Sequence, residues 1–318
     1  MARIDELRLM TRTARMYYEQ DMRQSDIARE LDLSQATVSR LLKRAHQEKI
    51  VRISVSVPSG VYSELEDALI SRYGLHHAVV VDCTDPESEE EILNSLGAAA
   101  AHFMETTIER NECIGISSWS GTLLAMVNAM HQIPKVVGAQ VVQILGGASE
   151  SPAKTQAVYL ASQLAAMVRG DATFLRAPVV VGSEEARDIL LNDPYVAETM
   201  RLFDEVTLAL VGIGAIDPSP LLASSGNIFS AEEQAVLREH GAVGDVLLHF
   251  FDSQGRPVNT HLDNRVIGMG LDQLKRVRRS VGIAGGRRKH EAIQAAALGG
   301  LVNVLITDRF TAEHLLRD

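Results

Sequence analysis

Between Arg23 and Arg44 the chain reads RQSDIARELDLSQATVSRLLKR, a spacing that dictates two short amphipathic helices folded around a tight polar turn. Ile27, Ala28 and Leu31 fall on the buried side of the first helix. Asp32-Leu33-Ser34 makes the turn, and Ser34 is placed to cap the second helix by accepting a backbone N–H bond. Leu33 plugs the corner between the helices. On the second helix Val38, Leu41, Leu42 and Ala45 recur at i, i+3, i+4 and i+7 and line one face. A rotation of about 100° per residue puts Ala36, Arg40 and Lys43 on the opposite face, flanked by Thr37, Ser39 and Arg44. Before the pair, Leu7, Met10, Ala14 and Tyr17 repeat with helical spacing and supply a third helix to pack across it.

The same periodicity would suit a plain surface hairpin, but the outer face has the make-up of a DNA reader. Short polar side chains near a helix start reach base edges in a major groove, while later Arg and Lys pair with phosphates. Gln35, Ala36, Thr37, Ser39, Arg40, Lys43 and Arg44 are the candidate DNA-binding residues. The overall net charge of −10 opposes nucleic acid only as an average. Residues 1–60 hold eleven Lys or Arg against eight Asp or Glu, a balance of +3, and the remainder holds twenty against thirty-three, a balance of −13. Positive charge is concentrated where the helical motif lies, and an acidic body limits non-specific adhesion to DNA.

At 318 residues, 46% of them hydrophobic and 23% charged, the chain can bury a sizeable core, and its length favours a small unit joined to a large one. Apolar runs fall short of a membrane span, and the opening Arg3, Asp5, Glu6 and Arg8 are unlike a secretory leader. The two cysteines, Cys83 and Cys113, sit in apolar strand-like settings and read as buried free thiols of a cytoplasmic protein. Val51 to Val57 alternates like a half-buried strand until Pro58-Ser59-Gly60 breaks it. The expected organisation is a helix-turn-helix domain over residues 1–58, a linker or self-association helix over 59–75 and a large effector domain over 76–318.

From residue 76 apolar runs alternate with helical stretches: Ala78–Asp82, Ile92–Glu109, Cys113–Ile116, Leu123–His131, Val136–Leu145, Thr155–Met167 and Ala177–Val181. The rhythm continues through Glu205–Gly212, Glu232–Glu239, Val246–Phe251, Val277–Ile283, Glu291–Leu298 and Val302–Thr307. This predicts an α/β fold with a Rossmann-like parallel sheet covered on both faces. Ligands of such folds sit at the carboxyl ends of strands. Four loops there are rich in small polar groups: 115–122, with Ser117, Ser120, Gly121 and Thr122 before a helix; Gly146-Gly147-Ala148-Ser149; Gly212-Ile213-Gly214-Ala215; and Gly285-Gly286-Arg287-Arg288-Lys289. Hydroxyls and backbone N–H groups at a helix start make an anion cradle, and Lys289 can place a compact positive charge on the same phosphate. Asp245 adds a carboxylate able to accept from sugar hydroxyls, Arg176 is equally a surface ion-pair residue, and Trp119 reads as core. Catalytic signatures are missing: the ten histidines show no HExxH, His76-His77 is a strand-edge pair, and the glycine loops do not fit GxGxxG. Neither a metal nor another cofactor is expected.

Several of these segments together resemble the SorC family of bacterial sugar-responsive transcriptional regulators: Gln24-Ser25-Asp26-Ile27-Ala28 with Ser39-Arg40-Leu41-Leu42, Gly115-Ile116-Ser117 with Gly121-Thr122-Leu123, Gly146-Gly147, Gly241-Ala242-Val243-Gly244-Asp245, and Gly285-Gly286 followed by Lys289 and Ala292-Ile293. The resemblance implies an effector domain similar to sugar-phosphate isomerases and deaminases, and a homo-oligomer, dimer or tetramer. It also implies operator DNA as partner, with binding altered by a phosphorylated sugar or polyol. The family's phosphate site falls on Ser117, Ser120, Gly121 and Thr122 with Lys289, and its sugar end on Gly146, Gly147 and Asp245; Gly212 completes the candidate effector-binding set. Leu145 stands where members often carry Asn or Arg, which removes one polar contact. The competing readings are a sugar-phosphate isomerase or deaminase with an accessory DNA-binding head, and an assembly module built on residues 61–75.

Overall fold

The computed structural model describes residues 2–48, 50–51, 60–133, 138–147, 154–225 and 229–317. The chain divides into two compact units, Met1–Pro58 and Ser59–Asp318.

The small unit contains α1 (Ala2–Tyr18), α2 (Gln24–Glu30) and α3 (Gln35–Gln47). Asp32 turns the chain with φ of 54°, a left-handed conformation that Asp tolerates better than bulkier residues. Ser34 then caps α3, its Oγ accepting from the Thr37 N–H at 3.1 Å. Ile27, Val38 and Ala45 are fully enclosed, packed with Ala14, Met16, Ala28 and Leu42. Of the strand expected over Val51–Val57, all but Val51 lies outside the described residues, and Val51 itself is in a bend.

The large unit runs α4 (Ser63–Tyr73), β1 (His77–Val81), α5 (Glu89–Thr107), β2 (Cys113–Ile116), α6 (Gly121–Ala129), β3 (Gln140–Gln143), α7 (Lys154–Met167) and β4 (Asp171–Thr173). It continues with α8 (Glu184–Leu191), α9 (Pro194–Arg201), β5 (Leu208–Gly212), β6 (Gly214–Ala215), α10 (Pro220–Ser225), α11 (Ala231–Glu239), β7 (Gly244–Val246) and β8 (His249–Phe251). It closes with α12 (Leu271–Arg276), β9 (Arg279–Ile283), α13 (His290–Leu298), β10 (Val304–Asp308) and α14 (Arg309–Leu315). Among the described residues, seven strands form one parallel sheet in the order β1-β10-β9-β5-β2-β3-β4.

Period-two alternation divides each inner strand between two cores. Leu208, Leu210, Val281 and Ile283 pack with Leu96, Leu123 and Met126 on one face. Ala209 and Val211 pack with Phe203, Leu274 and Ile293 on the other. Covered on both sides, the strands carry almost continuous apolar sequence. The helix before β1, α4, buries Leu69 and is tied to α14 by Arg72 and Tyr73, which donate to the carbonyls of Leu316 and Leu315.

Two apolar runs depart from the expected strand rhythm. Ala177–Val181 makes no strand: Pro178 has no N–H to donate, and only Val180 bridges Val266. The sheet edge is instead the short, polar β4, which hydrophobicity alone does not mark. Val246–Phe251 is not one strand of the parallel sheet but the tip of a hairpin, since Leu247 and Leu248 both take positive φ (56° and 58°) and reverse the chain between β7 and β8.

At the amino ends of the central strands, buried Glu112 accepts from the Arg279 guanidinium with both oxygens at 2.7 Å and from the Glu109 N–H at 3.0 Å. Removing one partner of such a pair strands the other's charge in a poorly solvated place. Glu112→Ala is therefore expected to destabilise the large unit by about 3–5 kcal/mol. Urea unfolding followed through Trp119, the lone tryptophan, measures this, and an unchanged midpoint would refute it.

Candidate functional site

Strand order reverses beside β2. The chain passes outward through β3 and β4, then returns to place β5 on the other flank of β2. Crossovers that diverge from neighbouring parallel strands leave a crevice at their carboxyl ends. A cavity of about 80 Å³ lies there, lined by Ser117, Trp119, Ser120 and Gly121 after β2, by Gly212–Ala215 after β5, and by Asp245, Leu247, Leu248, Arg288 and Lys289. Gly121, Ser219, Arg288 and Lys289 also border an adjoining cleft of about 700 Å³, whose apolar wall includes Leu93, Leu96 and Leu221.

The phosphate-cradle geometry comes from α6. Ser120 caps the helix, accepting from the Leu123 N–H at 3.3 Å, and its Oγ lies 2.9 Å from that of Thr122. The first N–H groups of any helix lack intrahelical acceptors, so this terminus presents donors and a partial positive charge to the cavity. Ser117 is buried, and its hydroxyl has no hydrogen-bond partner among the described residues.

Lys289 reaches the cavity because the loop before it turns sharply. Gly286 adopts φ of 90°, which side chains other than glycine avoid, and its N–H donates to Asp308 Oδ2 at 2.8 Å and to Thr311 Oγ1 at 3.1 Å. Asp308, at the end of β10 and fully buried, also caps α14 through the Thr311 N–H. One carboxylate thus fixes both the loop and the helix beside it.

Burial lowers the Lys289 pKa from its ordinary value, and the Asp245 charge works against that loss. No carboxylate among the described residues lies within ion-pair distance of its ammonium. Burial also pushes the Asp245 carboxyl up to about 6, against the Leu248 N–H bond and the charges of Lys289 and His249. Asp245 Oδ2 accepts from Leu248 N at 3.0 Å, bracing the left-handed Leu247-Leu248 turn. Gly214 pairs with Asp245 across β6 and β7, and a Cβ at Gly214 would collide with that carboxylate.

The structure thus brings Ser117, Ser120, Gly121, Gly212, Asp245 and Lys289 to one cavity. Thr122 borders the adjoining cleft and donates to the Ile283 carbonyl at 3.0 Å, a bond that joins α6 to β9. Gly146 and Gly147 are not among the described residues that line the cavity. The Gly146 carbonyl accepts from Trp119 Nε1 at 3.0 Å, and Gly147 packs on Gln143. Their role is to let the chain pass close behind the pocket, where Leu145 supplies the wall. Trp119 is buried as core and lines the cavity as well. Leu247, Leu248 and Ser219 are lining residues that no sequence motif marked, and Arg288 joins them from the basic loop that ends in Lys289.

On the small unit Gln35, Ala36, Ser39, Arg40 and Lys43 are exposed on α3, with Thr37 half-buried. Among the described residues Arg40 makes one side-chain hydrogen bond, to the Thr37 hydroxyl at 3.3 Å, and Lys43 has no carboxylate in ion-pair range. Arg44 differs. Its guanidinium is held by Glu6 of α1 and by Glu48 at 3.0 Å, so it ties the helices together instead of standing open to a phosphate.

Comparison with known proteins agrees with both halves. Residues 59–317 match the family model described as "Putative sugar-binding domain", and residues 15–48 match that of sigma-70 region 4. Over 314 residues, 99% of either chain, the sequence is 32% identical to the deoxyribonucleoside regulator of Bacillus subtilis (strain 168). Over 324 aligned positions, spanning 100% of both chains, it is 31% identical to the sorbitol operon regulator of Klebsiella pneumoniae. The crystal structure of the full-length sorbitol operon regulator SorC from K. pneumoniae superposes with a TM-score of 0.74 at 29% identity, covering 98% of this chain and 99% of that one. With a helix-turn-helix in one unit, a sugar-binding fold in the other and named relatives that regulate transcription, the chain belongs to the SorC family of sugar-binding transcriptional regulators.

Proposed function

We propose that this regulator controls a carbohydrate or polyol operon by binding a phosphorylated sugar or polyol in the cavity between β2 and β5, as a cytoplasmic homo-oligomer that pairs its DNA heads. The observation that carries this reading is the convergence of the α6 N-terminus, the Ser117 and Ser120 hydroxyls and the Lys289 ammonium on one cavity. Donors and positive charge in that arrangement suit a phosphoryl group. Asp245, beside them, accepts hydrogen bonds from sugar hydroxyls when ionised. The switch itself requires that the ligand bind one arrangement of the paired heads better than the other. On α3, Gln35, Thr37 and Ser39 face the bases, while Arg40 and Lys43 supply phosphate contacts.

A thermal-shift screen of phosphorylated hexitols, pentoses and deoxypentoses tests the ligand class. A ligand at a hundredfold excess over its Kd stabilises the native state by about 2.7 kcal/mol. Lys289→Ala is expected to abolish that shift while leaving operator binding intact; a normal shift in this variant would remove Lys289 from the site. Turnover of these compounds at ordinary enzyme rates would overturn the regulator reading in favour of an isomerase or deaminase.

For the head, Arg40→Ala is expected to weaken operator binding by about 1–3 kcal/mol in gel-shift titrations at physiological salt, with a shallower salt dependence. Undiminished affinity would exclude Arg40 from the interface.

The Asp245 carboxyl has a definite pH signature. Its folded pKa, about 6, lies above the ordinary 3.8, so its contribution to stability is present at low pH and is lost as pH rises through 6. Asp245→Asn removes that loss. Relative to wild type, the variant is expected to gain on the order of 2–3 kcal/mol between about pH 4 and pH 7.5, a difference that urea titrations at both pH values measure. A constant difference between the two proteins would contradict this assignment.

A further inference from the structure

Arg288 lines both the polar cavity and the adjoining cleft. Its Nη1 lies 3.5 Å from Glu89 Oε1, with the two side chains 51% and 70% exposed. A water-exposed pair in that geometry contributes between zero and about 1 kcal/mol. Among the described residues Glu89 is the only carboxylate in ion-pair range of Arg288. The next side chain, Lys289, lines the same cavity and feels both partners: the Arg288 charge disfavours its protonated form and the Glu89 charge favours it. Two cations therefore converge beside the α6 N-terminus and the Ser117 and Ser120 hydroxyls. Two carboxylates line the same cavity: Asp245, whose carboxyl burial pushes up to about 6 and which is ionised at about pH 8, and Asp217, which is already held by Arg238.

We propose that Arg288 is a second anion-binding side chain of this pocket and that Glu89 is its counter-ion in the empty protein. A dianionic phosphoryl group displaces Glu89 from the guanidinium, whereas a monoanion is satisfied by Lys289 and leaves the pair closed. This rests on reading the pocket as a phosphate site. The exchange is inexpensive on the protein side. The guanidinium gives up one long contact and gains a fork-shaped match to phosphate oxygens. Glu89 is the first residue of α5, directly after the Ser88 cap, so the released carboxylate stays stabilised by the donors and dipole of that helix start.

The test is titration with inorganic phosphate at about pH 8, where a phosphate is dianionic, followed by fluorescence of Trp119, which lines the cavity. Both side chains are more than half exposed, and melting temperatures confirm that the variants fold. Arg288→Gln is expected to weaken phosphate binding by about tenfold, the loss of one charged hydrogen-bonding partner. Glu89→Gln is expected to tighten binding severalfold in the wild-type background and to have no effect when Arg288 is already Gln. Dimethyl phosphate, with the same phosphorus centre but one negative charge, should bind wild type and Arg288→Gln alike. A phosphate Kd within about twofold of wild type in Arg288→Gln overturns the proposal. So does equal tightening by Glu89→Gln in both backgrounds, which would mark a diffuse field in place of a specific pair. If Lys289→Ala loses phosphate while Arg288→Gln does not, the failure is confined to Arg288 and the phosphate reading stands. A wild-type protein that does not respond to phosphate removes both.

Discussion

The pocket exists because β2 has its sequence successor, β3, on one flank and β5 on the other. Parallel strands demand crossover connections, and where two crossovers diverge the sheet's carboxyl edge is left open. Every other element of the site answers to that opening. α6 starts in it, the β6-β7-β8 hairpin with its buried Asp245 closes one side, and the Gly286 turn brings in Lys289 and Arg288. Nothing along the chain marks β2 as the point of reversal; it emerges from how the seven strands sort themselves.

The opening is lined by charge of both signs. Lys289 and Arg288 converge on it, while Asp245 is buried where its charge is costly. Two leucines, 247 and 248, sit in left-handed backbone that leucine ordinarily avoids, stapled by the Asp245 carboxylate. Such strain persists only when the surroundings over-determine it, and it concentrates at ligand sites. Asp308 and Glu112 stand in contrast. Both are buried and charged, yet each is surrounded by donors, and they serve the frame: one holds the Gly286 turn, the other anchors the amino ends of β2 and β9.

Much of the fold could be read from local patterns. The Ser34 cap, the Val38-Leu41-Leu42-Ala45 face and the alternating cores of β5 and β9 follow from periodicities of 3.6 and 2, which side-chain burial imposes residue by residue. The same logic misread Ala177–Val181, where Pro178 forfeits a ladder bond, and Val246–Phe251, where a tight turn is built from leucines that carry no turn signature. At the site, the hydroxyl-rich and basic loops were legible because each sits at a strand end. The placement of Gly146 and Gly147 behind the pocket was not, since a glycine that serves close packing looks the same in sequence as one that faces a ligand. Arg44 likewise lies near Arg40 on its helix, and it is Glu48 one turn on and Glu6 on another helix that separate their roles.

The sequence by itself determined most of the elements: the helices and inner strands, where the positive charge lies, and which loops carry hydroxyl, glycine and lysine. Those properties are set by neighbours within a turn or two of the chain. Tertiary structure decided which loops meet, that Leu145 and the leucine hairpin wall the cavity, that Arg44 is tied down, and that Asp245 and Lys289 share one poorly solvated space. Burial and charge proximity between residues more than forty positions apart depend on strand order, and strand order is settled only when the whole sheet closes.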